Sequence, residues 1–219
     1  MRGFKLLTFA FVSLVSTASF AQGWGRAGTW EAGFTVLDTS SELFGGTNGT
    51  GLAVRGETSL GFSGGYNFTD RLALLGEYNW IRPSYNATFV PEGGGDRETI
   101  SATMDVTSLH AKGVFHFFTG DFTPYVEAGI GWTQIDSNII DGPPYTGCWW
   151  DPWWGYICNT FYSTYKETRT SYTTSFGIRW DMNSDMVLRA SYGLFEVDTN
   201  RGSEDAEFDT IQVGFSWRF

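Results

Sequence analysis

Whatever chemistry this chain performs rests on two histidines, ten tryptophans and a set of charged residues at alternating positions. His110 and His116 are separated by six positions on one predicted strand, roughly 20 Å at about 3.4 Å per residue, so they cannot hold one metal ion together. No metal site is expected. A nucleophilic enzyme needs a nucleophile, a base and a third group that orients the base. His110 has Ser108 on its own face but no carboxylate placed by the sequence to orient it, so no catalytic residue is assigned and no enzyme is expected. Gly129-Ile130-Gly131 is not followed by a helix and is therefore not a nucleotide loop. No cofactor is implied.

The remaining candidates are charges that fall on one face of extended segments. From Trp30 the sequence places Trp30, Ala32, Phe34 and Val36 on one side and Glu31, Gly33 and Thr35 on the other, a period of two that marks a strand. The same division predicts hairpins over residues 60–80, 109–132 and 172–194, and a last strand over 211–219, eight strands in all. One face is consistently apolar. The other carries Glu57, Glu77, Lys112, Glu127, Arg179 and Arg189. Of these, Glu77, Lys112, Glu127 and Arg189 are expected at similar depth as a mutually paired network, with His116 as a hydrogen-bonding partner near Glu127.

Composition limits what such a sheet can be. Charged residues make up 17% of the 219 positions and aromatic residues 18%, with 28 Gly; this is too aromatic and Gly-rich for an ordinary soluble domain. Arg2 and Lys5, the apolar run Leu6–Val15 and the small residues ending at Ala21 predict a secretory leader over residues 1–21, with the mature chain at 22–219. The run is too short for a membrane-spanning helix, which needs roughly 20 residues. Loss of Arg2 and Lys5 with the leader leaves 12 basic residues against 24 acidic, which excludes nucleic acid as a partner. A mean hydropathy of -0.18 reads as soluble, but alternating barrel strands read the same way.

The connections between strands alternate in length. Long ones fall near 38–50, 83–99, 136–163 and 198–206; short turns separate the other pairs. This is the pattern of a membrane barrel with short periplasmic turns and long external loops. A soluble sandwich or lipocalin-like barrel would bury its large apolar face, and the charged face could not then fill an apolar core, because unpaired buried charge costs several kcal/mol. The expected fold is all-β, an eight-stranded antiparallel transmembrane up-and-down β-barrel with a polar interior and lipid outside. In eight strands the interior is just wide enough to be filled by side chains, so the charges are expected to plug it. A slim gated pore is the alternative.

Over residues 22–219 the chain resembles the small outer membrane β-barrel family, represented by the barrel of outer membrane protein A and by outer membrane proteins X and W. The eight-strand pattern, the segment from Phe122 to Trp132 and the final strand ending in Phe219 carry the resemblance. It implies residence in a Gram-negative type of outer membrane, contact with its lipids, and Phe219 as the signal read by the barrel assembly machinery. It implies a non-catalytic structural or surface protein whose external loops recognise, with a narrow channel for small or hydrophobic solutes as the alternative. The chain ends at its last strand, so a peptidoglycan-binding domain like that of outer membrane protein A is not expected.

The third long connection holds Cys148-Trp-Trp-Asp-Pro-Trp-Trp-Gly-Tyr-Ile-Cys158. In an exported chain a disulfide between Cys148 and Cys158 is the default. It would make a rigid loop in which Trp149, Trp150, Trp153 and Trp154 form a contact surface for a glycan, a lipid headgroup or a partner protein, or else a private mini-core or a part of the aromatic girdle at the outer interface.

Overall fold

A computed structural model describes residues 25–45, 50–90, 95–199 and 206–219. The expected leader lies outside these residues. Eight antiparallel strands close a barrel in chain order: β1 (Thr29–Thr39), β4 (Thr58–Asn67), β5 (Leu72–Ile81), β8 (Asp105–His116), β9 (Phe122–Ile140), β12 (Thr164–Asp181), β13 (Met186–Val197) and β14 (Ala206–Arg218). β14 returns to β1 with Phe34 opposite Phe215, so the barrel has no free edge.

Alternation decides which side of the sheet meets lipid. Phe34, Phe62, Leu74, Phe115, Ile130 and Phe176 are exposed on the outside, while Glu31, Glu77, Lys112, Glu127, Arg179 and Arg189 are buried inside. Glu57 departs from the expected inward set: it precedes β4 and is exposed. The outward band is bounded by aromatic side chains, Trp80, Trp132 and Tyr172 towards one end and Phe117, Phe122 and Trp180 towards the other. Such girdles mark the two membrane interfaces of a transmembrane barrel. The only grouped apolar core among the described residues is Ala73, Leu75, Val114 and Tyr125, inside the barrel.

Three short turns close the periplasmic end. Thr69 Oγ1 accepts the N–H of Arg71 and Leu72, and Asn183 Oδ1 accepts those of Asp185 and Met186, each fixing a tight reversal. At the external end the expected loops are largely β-structure. β2 (Glu42–Gly45) and β3 (Gly51–Val54) join β6 (Ser84–Phe89) and β7 (Glu98–Thr103) in a four-stranded sheet, because β3 pairs with β6 across two different connections. The third connection extends β9 and β12 well beyond Trp132 and then forms a separate hairpin, β10 (Tyr145–Asp151) with β11 (Gly155–Phe161). The fourth lies partly outside the described residues.

Candidate functional site in the lumen and its external vestibule

The buried charges form two layers. In the upper one, Lys112 Nζ from β8 lies 3.0 Å from Glu77 of β5 and 3.2 Å from Glu127 of β9. Neutral donors complete the carboxylates: Asn79 and Gln212 each donate to Glu77 at 2.6 Å, and Ser175 to Glu127 at 2.8 Å. Room for the long lysine comes from its partner strand, where Lys112 is registered opposite Gly129. A Cβ at Gly129 would stand 2.7 Å from Lys112 Cγ. The Gly129 and Gly131 positions are therefore space for Lys112 and His110.

Arg189 belongs to the other layer, nearer the periplasm. It sits directly opposite Arg179 in the β12–β13 register, an arrangement of like charges that is unfavourable by itself. Glu31, reaching across from β1, accepts from both, Arg179 at 2.6 Å and Arg189 in a short contact. Asp181 accepts from Arg179 at 2.7 Å, Arg26 at 2.8 Å and Arg218 at 3.3 Å. Arg26 also donates to the carbonyls of Asp70, Phe118 and Gly120, tying two turns together under the barrel. Sequence reasoning passed over Glu31, Arg26, Asp181 and Arg218. Glu31 and Arg218 were visible as inward positions of their strands; Arg26 precedes the first strand and Asp181 reads as a turn residue.

His116 is placed differently from the expectation. Its register partner is Tyr125, not Glu127, and the two rings lie 6.0 Å apart. It is fully buried, and neither ring nitrogen has a hydrogen-bond partner among the described residues. Glu127 stands opposite Val114, two residues away along the sheet, which is why proximity along the hairpin did not become a contact. His110 Nε2 instead meets Ser171 Oγ at 2.8 Å, and Thr133 Oγ1 donates to the same hydroxyl. Ser108, the serine on its own face, is not that partner. The His110–Ser171 pair has the outline of a nucleophile and its base. Ser171 is inaccessible, however, and His110 Nδ1 lacks the orienting partner such a pair requires.

Between and above the layers the lumen has voids of about 20 and 40 Å³, enough for single waters. Above them, at the external end, a cavity of about 620 Å³ opens. Ile81, Val106 and Ile135 form its floor and wall, Phe195 and Phe208 another side, and Leu52, Val54 and Tyr85 of the four-stranded sheet overhang it. The sheet is held over the barrel by Tyr85, whose hydroxyl donates to the Ser137 carbonyl at 3.0 Å. The lining is apolar, with charges such as Arg55, Lys166 and Asp198 also lining it. This vestibule has the size and polarity of a small-molecule site.

The disulfide Cys148–Cys158 is present, joining directly opposed positions of β10 and β11. Trp150, Trp153 and Trp154 are exposed. Trp149 approaches Phe161 at 5.9 Å, and Phe161 stacks on Tyr145 at 5.6 Å, so a small aromatic stack covers one face only. Phe219 pairs its backbone with Trp30 in both directions, at 2.8 and 2.9 Å.

Comparison with known proteins agrees with this architecture. OprG of Pseudomonas aeruginosa is 13% identical, with 90% of this chain and 98% of that one covered and a TM-score of 0.56. Ail of Yersinia pestis, solved in complex with the heparin analogue sucrose octasulfate, is 14% identical, with 88% and 99% covered and a TM-score of 0.50. At such identities the likeness is one of fold. No curated protein sequence matches significantly. The outer membrane protein beta-barrel domain matches residues 7–219, so the chain belongs to that family and resides in the outer membrane.

Proposed function

We propose that the protein is a non-catalytic surface barrel whose external segments recognise a small apolar molecule in the vestibule, while the paired charges below keep the barrel closed to solutes. The observation that carries this reading is the apolar cavity of about 620 Å³ set directly above a lumen in which voids of about 20 and 40 Å³ separate the paired charges. Binding there removes apolar surface from water at about 25 cal/mol per Å². The inaccessible Ser171 and the unoriented His110 support the non-catalytic part.

Titration of the protein in lipid nanodiscs with toluene, followed by methyl NMR, tests the site. Val54, Val106 and Ile135 should shift while Val114 and Val187 at the other end stay unmoved, and Val106→Trp, which fills the cavity, should abolish the shifts. Uniform shifts, or none, would refute vestibule binding. The channel reading is tested separately: wild-type protein should show no steady conductance in planar bilayers, and a steady conductance abolished or raised by Lys112→Met would favour it over ours.

A further inference from the structure

We infer that the disulfide-closed hairpin β10–β11 is a membrane-docking arm that inserts its tip tryptophans into the interface of a lipid bilayer apposed from outside the cell. Every described tryptophan has one of two settings. Trp30, Trp80, Trp132, Trp180 and Trp217 lie on the lipid-facing wall and are 44–64% exposed. The other four lie in the hairpin, where Trp150, Trp153 and Trp154 are 68%, 81% and 75% exposed, Trp153 and Trp154 lying against each other at 6.5 Å between ring centroids. The molecule thus repeats on the arm, at greater exposure, the side chain it uses where it meets lipid. Tryptophan is enriched at membrane interfaces because its ring is apolar while its N–H can reach water or headgroups.

The arm is also built to enter a medium of low polarity. Asp151 is the one charged residue between Tyr145 and Phe161, and its carboxylate is occupied inside the turn, accepting the N–H of Trp153 at 2.8 Å and Trp154 at 3.2 Å. Gly155, at φ 76°, takes the left-handed conformation that lets the chain re-enter β11 after the two tryptophans. A glycan site would need converging polar side chains around the rings, and in the turn the one charged side chain is Asp151, whose Oδ1 already accepts both tryptophan backbone N–H groups.

Reach favours an apposed bilayer over the protein's own. β9 continues eight residues past Trp132 to Ile140, a contour of about 26 Å at 3.3 Å per residue and a rise of roughly 20 Å along the membrane normal at the 35–45° tilt of barrel strands. The Asp141 N–H to Ser163 carbonyl bond of 2.7 Å then carries the pairing of β9 and β12 up to the base of the hairpin. Among the described residues, β10 and β11 make no extended contact with any other strand. The disulfide holds together a two-stranded unit that would be marginal alone.

The test uses the full chain in nanodiscs mixed with phosphatidylcholine vesicles that carry a brominated lipid. The discs should co-float with the vesicles, and part of the tryptophan fluorescence should be quenched by the vesicle lipid. The variant Trp150→Ser, Trp153→Ser, Trp154→Ser, its barrel verified by heat-modifiable migration, should bind at least about tenfold more weakly, a loss of 1.4 kcal/mol or more. Absence of co-flotation by the wild type, equal binding by the variant, or quenching only by brominated lipid placed in the protein's own disc would each overturn the proposal. So would loss of co-flotation in detergent-free discs when binding to a glycan or to a second copy of the chain persists. Should the variant fail to fold, the wild-type quenching decides alone.

Discussion

Lys112 in the lumen and Arg26 beneath it are both buried cations, yet their removal should differ in cost. Lys112 compensates two carboxylates, Glu77 and Glu127, so Lys112→Met leaves both without their ion partner and should destabilise the barrel by about 3–5 kcal/mol. Arg26→Met leaves Asp181 with Arg179 and Arg218, and should cost only about 1–3 kcal/mol through lost hydrogen bonds. Urea unfolding of the two variants in lipid vesicles gives the order; equal losses would show that the layers are not separate units. A pH effect is expected in the first turn. Asp70 accepts the backbone N–H of Arg26 at 2.7 Å and of Ala27 at 3.1 Å, and these bonds hold its carboxyl below the ordinary range. A depressed folded value means that the contribution is complete above the unfolded value of about 3.9 and is lost as pH falls through the folded one. Proteolysis of the segment before β1 should therefore increase below about pH 4 in the wild type, and Asp70→Ala should show the increased cleavage already at neutral pH.

At the scale of elements, β9 presents glycines to the long inward side chains of β8. Lys112 faces Gly129 and His110 faces Gly131, where a Cβ would meet the Leu109 carbonyl oxygen at 2.0 Å. The hairpin β10–β11 depends on a different device. With Cys148→Ser and Cys158→Ser it loses a closure worth about 2–3 kcal/mol by chain entropy and keeps only a short two-stranded ladder. Limited proteolysis should then cut within 142–163 while the barrel stays resistant; an uncut hairpin would show that the aromatic stack of Tyr145, Phe161 and Trp149 suffices.

For the whole molecule, closure of the sheet is what satisfies its backbone in lipid, since a free edge there would leave N–H and C=O groups without partners. Phe219 contributes two of the seam bonds, both to Trp30. Its deletion should lower the yield of heat-modifiable barrel in the outer membrane, by loss of these bonds and, as we propose, of the signal read by the assembly machinery. An undiminished yield would remove Phe219 from both roles. Outside the membrane the four-stranded sheet turns two connections into a wall, and the vestibule exists only because of that wall.

The eight barrel strands, their lipid-facing and inward-facing sides apart from Glu57, the short turns and the Cys148–Cys158 pairing were determined by the sequence, because a period of two and turn chemistry are local properties. Glu77, Lys112 and Glu127 were also legible as one group, since they lie on strands that are neighbours in the chain order. The assignment of Arg189 to a different layer was not, because its carboxylate partner is Glu31, 158 positions away and reached across the lumen. Nor was the contact of His110 with Ser171, which lie on strands whose relative depth depends on the register of β9 between them. The external sheet escaped for the same reason: β3 pairs with β6 from a different connection, and the alternation of Tyr85, Ala87 and Phe89 in β6 does not say which segment it pairs with. Alternation tells which way a side chain points; only closure of the barrel, through its accumulated register, decides what it meets on the far side.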